Sequence, residues 1–211
     1  MARPRAHDEA LRTRLLDRAG ELLSAHGPEG LSLRRLAADV GTSTTAVYSL
    51  FGGKPGLVRE LYVEGFRRLS DRMERVARTG DSEHDLTALG HAYRNSALAN
   101  PHFYSIMFGR AVPDFTPDEQ AWEQALRSIQ PLRDAIGKGI EDGDLIDADP
   151  AEVVFAAWAL VHGLVSLELS GSAPTEDERS ARYERALRNG FAGWRRCPRS
   201  DGGGSSGASA S

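Results

Sequence analysis

The spacing of apolar residues limits the fold of this chain more than any other feature. Leucine and alanine side chains recur at steps of three and four between residues 8 and 25, which predicts a helix with one buried face. The same spacing continues beyond Gly80, and none of the later segments shows the alternation of a β-strand. These segments are 83–100, 101–109, 117–143, 150–170 and 175–196. We therefore expect an all-α protein, with Pro131 kinking or dividing the helix in which it falls.

Two short helices are predicted immediately after the first. Ser32 stands at the N-cap position of a helix over 33–40, and Gly41 ends that helix. Ser43 can cap a third helix over 44–51. The inner face of this third helix holds Ala46, Val47, Leu50 and Phe51. Its outer face is polar and uncharged, and it holds Thr44, Thr45, Tyr48 and Ser49.

A long fourth helix is predicted from Lys54 to residue 79, with Pro55 in its first turn, where a missing N–H costs nothing. Two short helices joined by a glycine-containing turn are typical of the helix-turn-helix, whose second helix enters the major groove of DNA. Hydroxyl side chains there can contact phosphates or base edges without bringing unpaired charge. We therefore predict a helix-turn-helix domain over 8–53, with a linking helix that begins over 54–66.

The charge of the chain is divided unevenly. Residues 1–80 contain 14 Lys and Arg against 10 Asp and Glu, a net charge of +4, whereas residues 81–211 contain 12 against 20, a net charge of −8; the two sum to −4. This division indicates that the N-terminal third faces a polyanion. A solvated helix face can give the same asymmetry, so the charge alone leaves both interpretations open.

The composition also bears on the cellular compartment. A single cysteine, Cys197, excludes a disulfide framework or a thiolate metal cage within one chain, and we expect no metal and no cofactor. Residues 1–10 lack the apolar core of a secretory signal, so we expect a cytoplasmic protein without a membrane partner. The most apolar stretch, 153–165, is shorter than the roughly 20 residues of a membrane span and predicts a buried helix. The Gly/Ser-rich end, 197–211, predicts a flexible tail.

The sequence LSLRRLAADVGTSTTAVYSLFGGK, residues 31–54, resembles the DNA-binding region of the tetracycline-repressor (TetR) family. The resemblance covers residues 8–66. It depends on Gly41, Ser43, Tyr48, Phe51, Lys54 and Leu57. It departs from the family at Leu50, where an aromatic residue or histidine is frequent, and at Gly52-Gly53, where a proline or polar residue is common.

The resemblance implies a DNA-contacting role for a set of residues in this region. They are Ser32, Arg34, Ser43, Thr44, Thr45, Tyr48 and Lys54. Thr44 and Thr45 would face base edges, and Arg34 would reach a base or a phosphate. The Tyr48 hydroxyl would contact one phosphate, and Lys54 would hold another beside the positive end of the fourth helix. The alternative for the tyrosine is simple packing beside the phenylalanine that ends the third helix.

The C-terminal part resembles a branch of this family with a WHG-type domain, named after a tryptophan and a His-Gly pair. The matching sequences are WALVHGLVSLE at 158–168 and ANPHFYSIMFG at 99–109. This resemblance implies a helical domain over 67–196 that binds an effector and dimerises. The candidate effector residues are Tyr93, Phe103, Tyr104, Met107, Trp122, Trp158 and His162. The alternative is that they form core, with His162 bonded to a backbone carbonyl.

The leading hypothesis is a ligand-responsive repressor that binds a palindromic operator as a homodimer and is released by an apolar or amphipathic small molecule. We expect helices 150–170 and 175–196 to form the dimer, as the resemblance implies. The candidate contacts are Leu164, Leu167, Leu187 and Phe191.

Two other classes of protein agree less well with the sequence. An enzyme is disfavoured because His162 has no carboxylate nearby on its helical face, and no phosphate loop or nucleophile elbow is present. A non-specific architectural DNA binder would be expected to carry more positive charge than this net acidic chain.

Overall fold

The computed structural model describes residues 3–109, 112, 115–171 and 175–196, and the predicted flexible tail lies outside these residues. The helices are α1 Arg3–Gly30, α2 Leu33–Val40, α3 Thr44–Phe51, α4 Lys54–Glu74, α5 Ser82–Ala99, α6 Pro101–Phe108, α7 Glu119–Ser128, α8 Gln130–Glu141, α9 Pro150–Leu169 and α10 Glu176–Ala192. Within the described residues the only strand-like pairing is one isolated bridge between Leu145 and Arg195. The prediction of an all-α fold is confirmed.

Helices α1 to α3 and the start of α4 form the N-terminal head. Leucines of α1 and α2 pack against the inner side of α3, and Leu15, Leu36, Val47 and Leu57 are each 0 % exposed. Full burial of one such side chain contributes about 1.5–3 kcal/mol, so this small unit is held mainly by its apolar core. Arg18 of α1 adds an ion pair to Asp39 of α2 at 2.7 Å.

The predicted end of the first helix corresponds to a kink rather than a clean stop. Gly27 has φ 65, a left-handed conformation that suits glycine, and one more helical turn containing Pro28 follows it to Gly30. The chain then enters α2 through the Ser32 N-cap. The kink therefore sets the angle at which the chain leaves α1 for the helix-turn-helix.

Helix α4 joins the head to the larger body and packs against α5, α6 and α7. It ends at Glu74, five residues before the predicted end, because Val76 to Thr79 turn toward α5. The Thr79 hydroxyl and N–H donate to buried Asp85, at 2.7 and 2.9 Å. The segment containing Pro131 is divided as predicted, into α7 and α8. The proposed division of the chain at 53 and 66 stays a prediction.

Helix α9 corrects one sequence prediction. It was predicted to be a buried helix, but only 28 % of its most apolar 18-residue window is buried, at a mean hydropathy of 1.5. By length and composition it is the one described helix that could cross a membrane. Val153, Val161 and Val165 face the body, whereas Phe155 and Leu167 are 62 % and 59 % exposed. The helix therefore has an inner apolar face and a second, uncovered one.

Candidate DNA interface and ligand cavity

The turn between α2 and α3 has the geometry that the sequence predicts. Gly41 adopts a left-handed conformation with φ 74 and ψ 40, and the next N–H, of Thr42, donates to the Ala37 carbonyl at 2.9 Å. Ser43 then caps α3, because its Oγ accepts from the Ala46 N–H at 3.1 Å. These bonds fix the start of α3 relative to α2.

The outer face of α3 is polar, uncharged and accessible. Tyr48 is 55 % exposed, while Val47 and Phe51 on the opposite side are 0 % and 6 % exposed. Thr45 is exposed and Thr44 is half-buried. The Tyr48 ring projects from the helix instead of joining the core, so simple packing beside Phe51 does not account for it. A face of this kind can hydrogen-bond to phosphates and base edges.

The basic residues of the head differ in their freedom to contact DNA. Arg34 is exposed at the start of α2, and so is the N-cap Ser32. Lys54 is half-buried, and its Nζ donates to the Pro28 carbonyl at 2.6 Å. An ammonium group has three donors, so this bond holds the start of α4 against the end of α1 and leaves two hydrogens for another acceptor. The DNA contacts of all seven candidate residues stay predictions.

A chain of ion pairs runs from the head to α7. Arg12 of α1 pairs with Glu60 of α4, whose other oxygen accepts from Arg59 at 2.8 Å. Arg59 also donates to Asp118 through Nη2 at 3.1 Å. Asp118 is the N-cap of α7, accepting from the Ala121 N–H at 2.8 Å, and its hydrogen bond from Arg59 lowers its pKa. The head, α4 and α7 are therefore joined by charge as well as by packing.

A second network joins α1, α4 and α6. Arg68 donates to Glu64 at 2.7 Å, Asp17 at 2.6 Å and Asn100 at 2.9 Å, and its guanidinium lies over the Phe103 ring at 4.4 Å. Burial opposes ionisation of Glu64, but hydrogen bonds from arginines outweigh it and hold its pKa below the usual range. This network fixes the start of α6, the helix that leads to the cavity.

The body contains an apolar cavity of about 570 Å³ between α4, α6, α7, α8 and α9. Its volume lies within the range of small-molecule sites, roughly 300–1,000 Å³. Six aromatic side chains line it, namely Tyr62, Phe66, Phe108, Trp122, Phe155 and Trp158. Its polar side chains besides Tyr62 are Ser128 and Arg133. Such a space can enclose an apolar molecule.

The candidate effector residues divide into two groups. Met107, Trp122 and Trp158 line the cavity. The other four are not among the residues that line it: Tyr93, Phe103, Tyr104 and His162. Tyr93 and Phe103 are 3 % and 1 % exposed, so they belong to the packed core of the body. Whether any of the seven contacts an effector stays a prediction.

His162 lies behind the cavity wall. Its Nδ1 is bonded to the hydroxyls of Tyr93 at 3.1 Å and Tyr104 at 3.0 Å, and its ring lies 4.7 Å from that of Phe108 and 5.8 Å from that of Trp158. Burial lowers the pKa of His162 and raises that of Tyr104 to about 12, so the ring and the hydroxyl are both neutral at physiological pH. His162 can thus orient two wall residues without touching a ligand.

Sequence reasoning missed part of the cavity wall. Tyr62, Phe66 and Leu69 of α4 line it at helical spacing, and Phe155 and Arg133 line it from α9 and α8. These residues recur along α4 at helical spacing, but spacing alone does not distinguish a cavity wall from a packed core. The described residues contain no group of three or more His, Cys, Asp or Glu side chains that could hold a metal ion.

A helix-turn-helix with a polar outer face, on a helical body with an apolar cavity, is typical of a DNA-binding transcriptional regulator. The chain belongs to the TetR family. Residues 15–61 match the family model for bacterial regulatory proteins of the tetR family, and residues 86–189 match that for the tetracyclin repressor-like C-terminal domain. The finer resemblance to the WHG branch stays a prediction.

Named relatives agree with this assignment. The chain is 28 % identical to the HTH-type transcriptional regulator Rv1816 of Mycobacterium tuberculosis over 192 residues, covering 77 % of this chain and 82 % of the relative. It is 29 % identical over 136 residues to the HTH-type transcriptional repressor DrrR1 of Streptomyces coeruleorubidus, covering 64 % and 47 %. The family and these relatives are transcriptional regulators, not enzymes.

A solved structure has the same fold over almost the whole chain. The regulatory protein SCO4313 superposes with a TM-score of 0.73 at 26 % identity and covers 91 % of this chain and 100 % of its own. The structure of PfmR from Thermus thermophilus, a TetR-family regulator, has a TM-score of 0.68 at 22 % identity, covering 83 % and 97 %, and shows the shared fold.

Proposed function

We propose that this TetR-family regulator is a cytoplasmic repressor that binds a palindromic operator as a homodimer and leaves it when a small apolar or amphipathic molecule binds. The observation that carries the DNA-binding part is the accessible, uncharged outer face of α3. Thr45 and Tyr48 project from it, on a helix whose start is fixed by Gly41 and Ser43. The name of the Streptomyces relative, a transcriptional repressor, supports the sign of the regulation.

The uncovered face of α9 supports a dimer. Phe155 and Leu167 lie exposed on it, with small side chains between them at helical spacing: Ala156, Ala159, Gly163 and Ser166. An exposed apolar face flanked by small residues lets a second helix approach closely, and a second copy of the same face satisfies the two-fold symmetry of a palindromic operator.

Two of the predicted dimer contacts are wrong. Leu187 and Phe191 of α10 are 0 % and 4 % exposed within one protomer, where Leu187 packs against Gly90 of α5. They therefore cannot also form the interface. Leu167 and half-buried Leu164 remain as predicted contacts, and Phe155 joins them.

Helix α4 supplies a physical route from ligand to DNA. It lines the cavity through Tyr62, Phe66 and Leu69, and its first turns carry Lys54 and the ion pairs to α1 and α7. A ligand that pushes α4 or α7 outward must move this end of α4, and with it the head. A coupling of about 1–3 kcal/mol, the usual allosteric range, lowers operator affinity by roughly 5- to 150-fold.

The test is selection of DNA fragments from a random pool by the purified protein. The proposal predicts inverted half-sites whose centres lie about one helical turn or a multiple of it apart. A single unrepeated half-site would reject the dimeric part of the proposal. Fragments without any common sequence would reject specific binding and favour an architectural DNA binder.

A further inference from the structure

The described side chains that line the cavity carry one positive charge and no negative charge. Arg133 is the only charged side chain that lines it, and no Asp or Glu lines it within the described part of the chain. Arg133 is exposed, and among the described residues its guanidinium has no ion pair and no side-chain hydrogen bond. Several other arginines of the body are paired, for example Arg94 with Glu168 at 2.6 Å.

Arg133 lies in the first turn of α8, a helix whose start contacts the segment that follows α4. Its neighbour Pro131 accepts a hydrogen bond from Arg78, which follows the C-terminal end of α4. Tyr62 lies nearer the head, with its ring 5.5 Å from that of Phe115. Between Tyr62 and Leu69, α4 rises about 10 Å at 1.5 Å per residue. A linear ligand of that length can therefore lie along this part of the aromatic wall.

The other polar side chains of the cavity carry no charge. Ser128 is 0 % exposed and its hydroxyl donates to the Ala125 carbonyl at 2.7 Å. Burial raises the pKa of Tyr62, whose hydroxyl stays neutral. The rings of Phe66, Phe108 and Trp158 form a continuous apolar wall, with centroids 5.5 and 6.2 Å apart.

We propose that the cavity binds an apolar monocarboxylate, its hydrocarbon part against the aromatic wall and its carboxylate paired with the exposed Arg133. A guanidinium offers two parallel N–H donors that match a carboxylate, and its unpaired state means that no internal partner has to be displaced. The alternative is an ordinary surface arginine whose methylene stem covers apolar wall, with a neutral ligand in the cavity. This inference names the chemical class of the proposed effector. It rests on the proposed function only for the biological consequence of binding.

The test compares ligands that share one chain and differ in charge. Octanoate, decanoate and myristate, each beside its alcohol and its amine, are titrated into the full chain by calorimetry and by tryptophan fluorescence, because Trp122 and Trp158 line the cavity. At least one carboxylate is expected to bind about tenfold more tightly than its alcohol. The amine is expected to bind more weakly than both.

Substitutions then test whether Arg133 causes the preference for a carboxylate. Arg133→Gln is expected to remove the preference for the carboxylate and to leave the affinity for the alcohol unchanged, while Arg133→Lys keeps most of the preference. Arg127→Gln is the matched control, because Arg127 is 69 % exposed on α7, pairs with Glu123 at 3.3 Å and does not line the cavity. Both substitutions change exposed side chains, so neither is expected to unfold the protein.

The outcomes separate this inference from the proposed function. Equal affinity for carboxylate and alcohol, an equal loss of both in Arg133→Gln, or binding of no member of the series would overturn it. If operator binding persists when no carboxylate binds, the inference fails and the DNA-binding proposal stands. If the carboxylate binds through Arg133 but operator affinity stays unchanged, the inference stands and ligand-induced release fails.

Discussion

Replacing Tyr48 by phenylalanine tests the assignment of α3 with the smallest possible change. The ring keeps its shape and only the hydroxyl is lost. Tyr48 is 55 % exposed and its hydroxyl has no hydrogen-bond partner among the described residues, so the free protein should lose almost no stability. Any loss of DNA affinity then reports a contact made in the complex alone.

The expected magnitude follows from what the hydroxyl would contact. A hydrogen bond to a charged phosphate contributes about 1–2 kcal/mol when the donor is exposed before binding. This corresponds to a roughly 5- to 30-fold weaker operator complex at matched salt. Tyr48→Ala should lose at least as much, because the ring contact is lost as well.

The assay is titration of the selected operator at fixed ionic strength, since affinity for DNA falls steeply with salt. Tyr62→Phe is the matched control, because it removes an unpartnered hydroxyl from the body, where ligand-free protein should not contact DNA. Binding by Tyr48→Phe within twofold of wild type would refute the phosphate contact, and the same for Tyr48→Ala would refute the placement of α3 in the groove.

Three further predictions concern the turn, the dimer and pH. Gly41→Ala should lower the free energy of unfolding by about 1 kcal/mol, because Gly41 has a positive φ. Gly137→Ala in α8 should raise it by about 0.5–1 kcal/mol, because an added Cβ there meets nothing within 4 Å. Urea denaturation measures both changes, and equal effects of the two substitutions would contradict this prediction. Leu167→Glu should yield monomers in sedimentation analysis, while Leu98→Glu, also on an exposed apolar position, should stay dimeric. Burial lowers the pKa of the His102 imidazole in the folded protein, so its contribution to the free energy of unfolding is fully present above the unfolded pKa near 6.5 and is lost as the pH falls toward the lower folded pKa. His102→Gln should therefore reduce the loss of stability that urea titrations measure between pH 7.5 and 5.5. An unchanged dependence of stability on pH would exclude His102 as its source.

The helix-turn-helix could be predicted from sequence because its determinants are local. Ser32 and Ser43 are N-caps, and Gly41 supplies a left-handed turn, each acting within four residues along the chain. Both short helices therefore have the predicted bounds. The division at Pro131 is local in the same way, since a proline cannot continue the hydrogen bonding of the helix before it.

The rest depends on contacts between distant parts of the chain. The Arg59–Asp118 ion pair joins residues 59 positions apart, and the Lys54 bond to Pro28 spans 26. Periodicity identifies the apolar side of a helix but not which neighbour covers it. For this reason the sequence did not distinguish the cavity wall from the core behind it. It also predicted burial of the most apolar part of α9, although one face of that helix is exposed in the protomer.

The central claim is that the outer face of α3 determines the operator sequence, and repeating the DNA selection with a Thr44→Asn, Thr45→Gln variant tests it most directly. Asn and Gln prefer adenine edges, so this account predicts a preferred sequence that changes at a few positions, symmetrically in both half-sites, while the half-site spacing stays the same. A variant that binds DNA yet selects the same sequence as wild type would contradict the account.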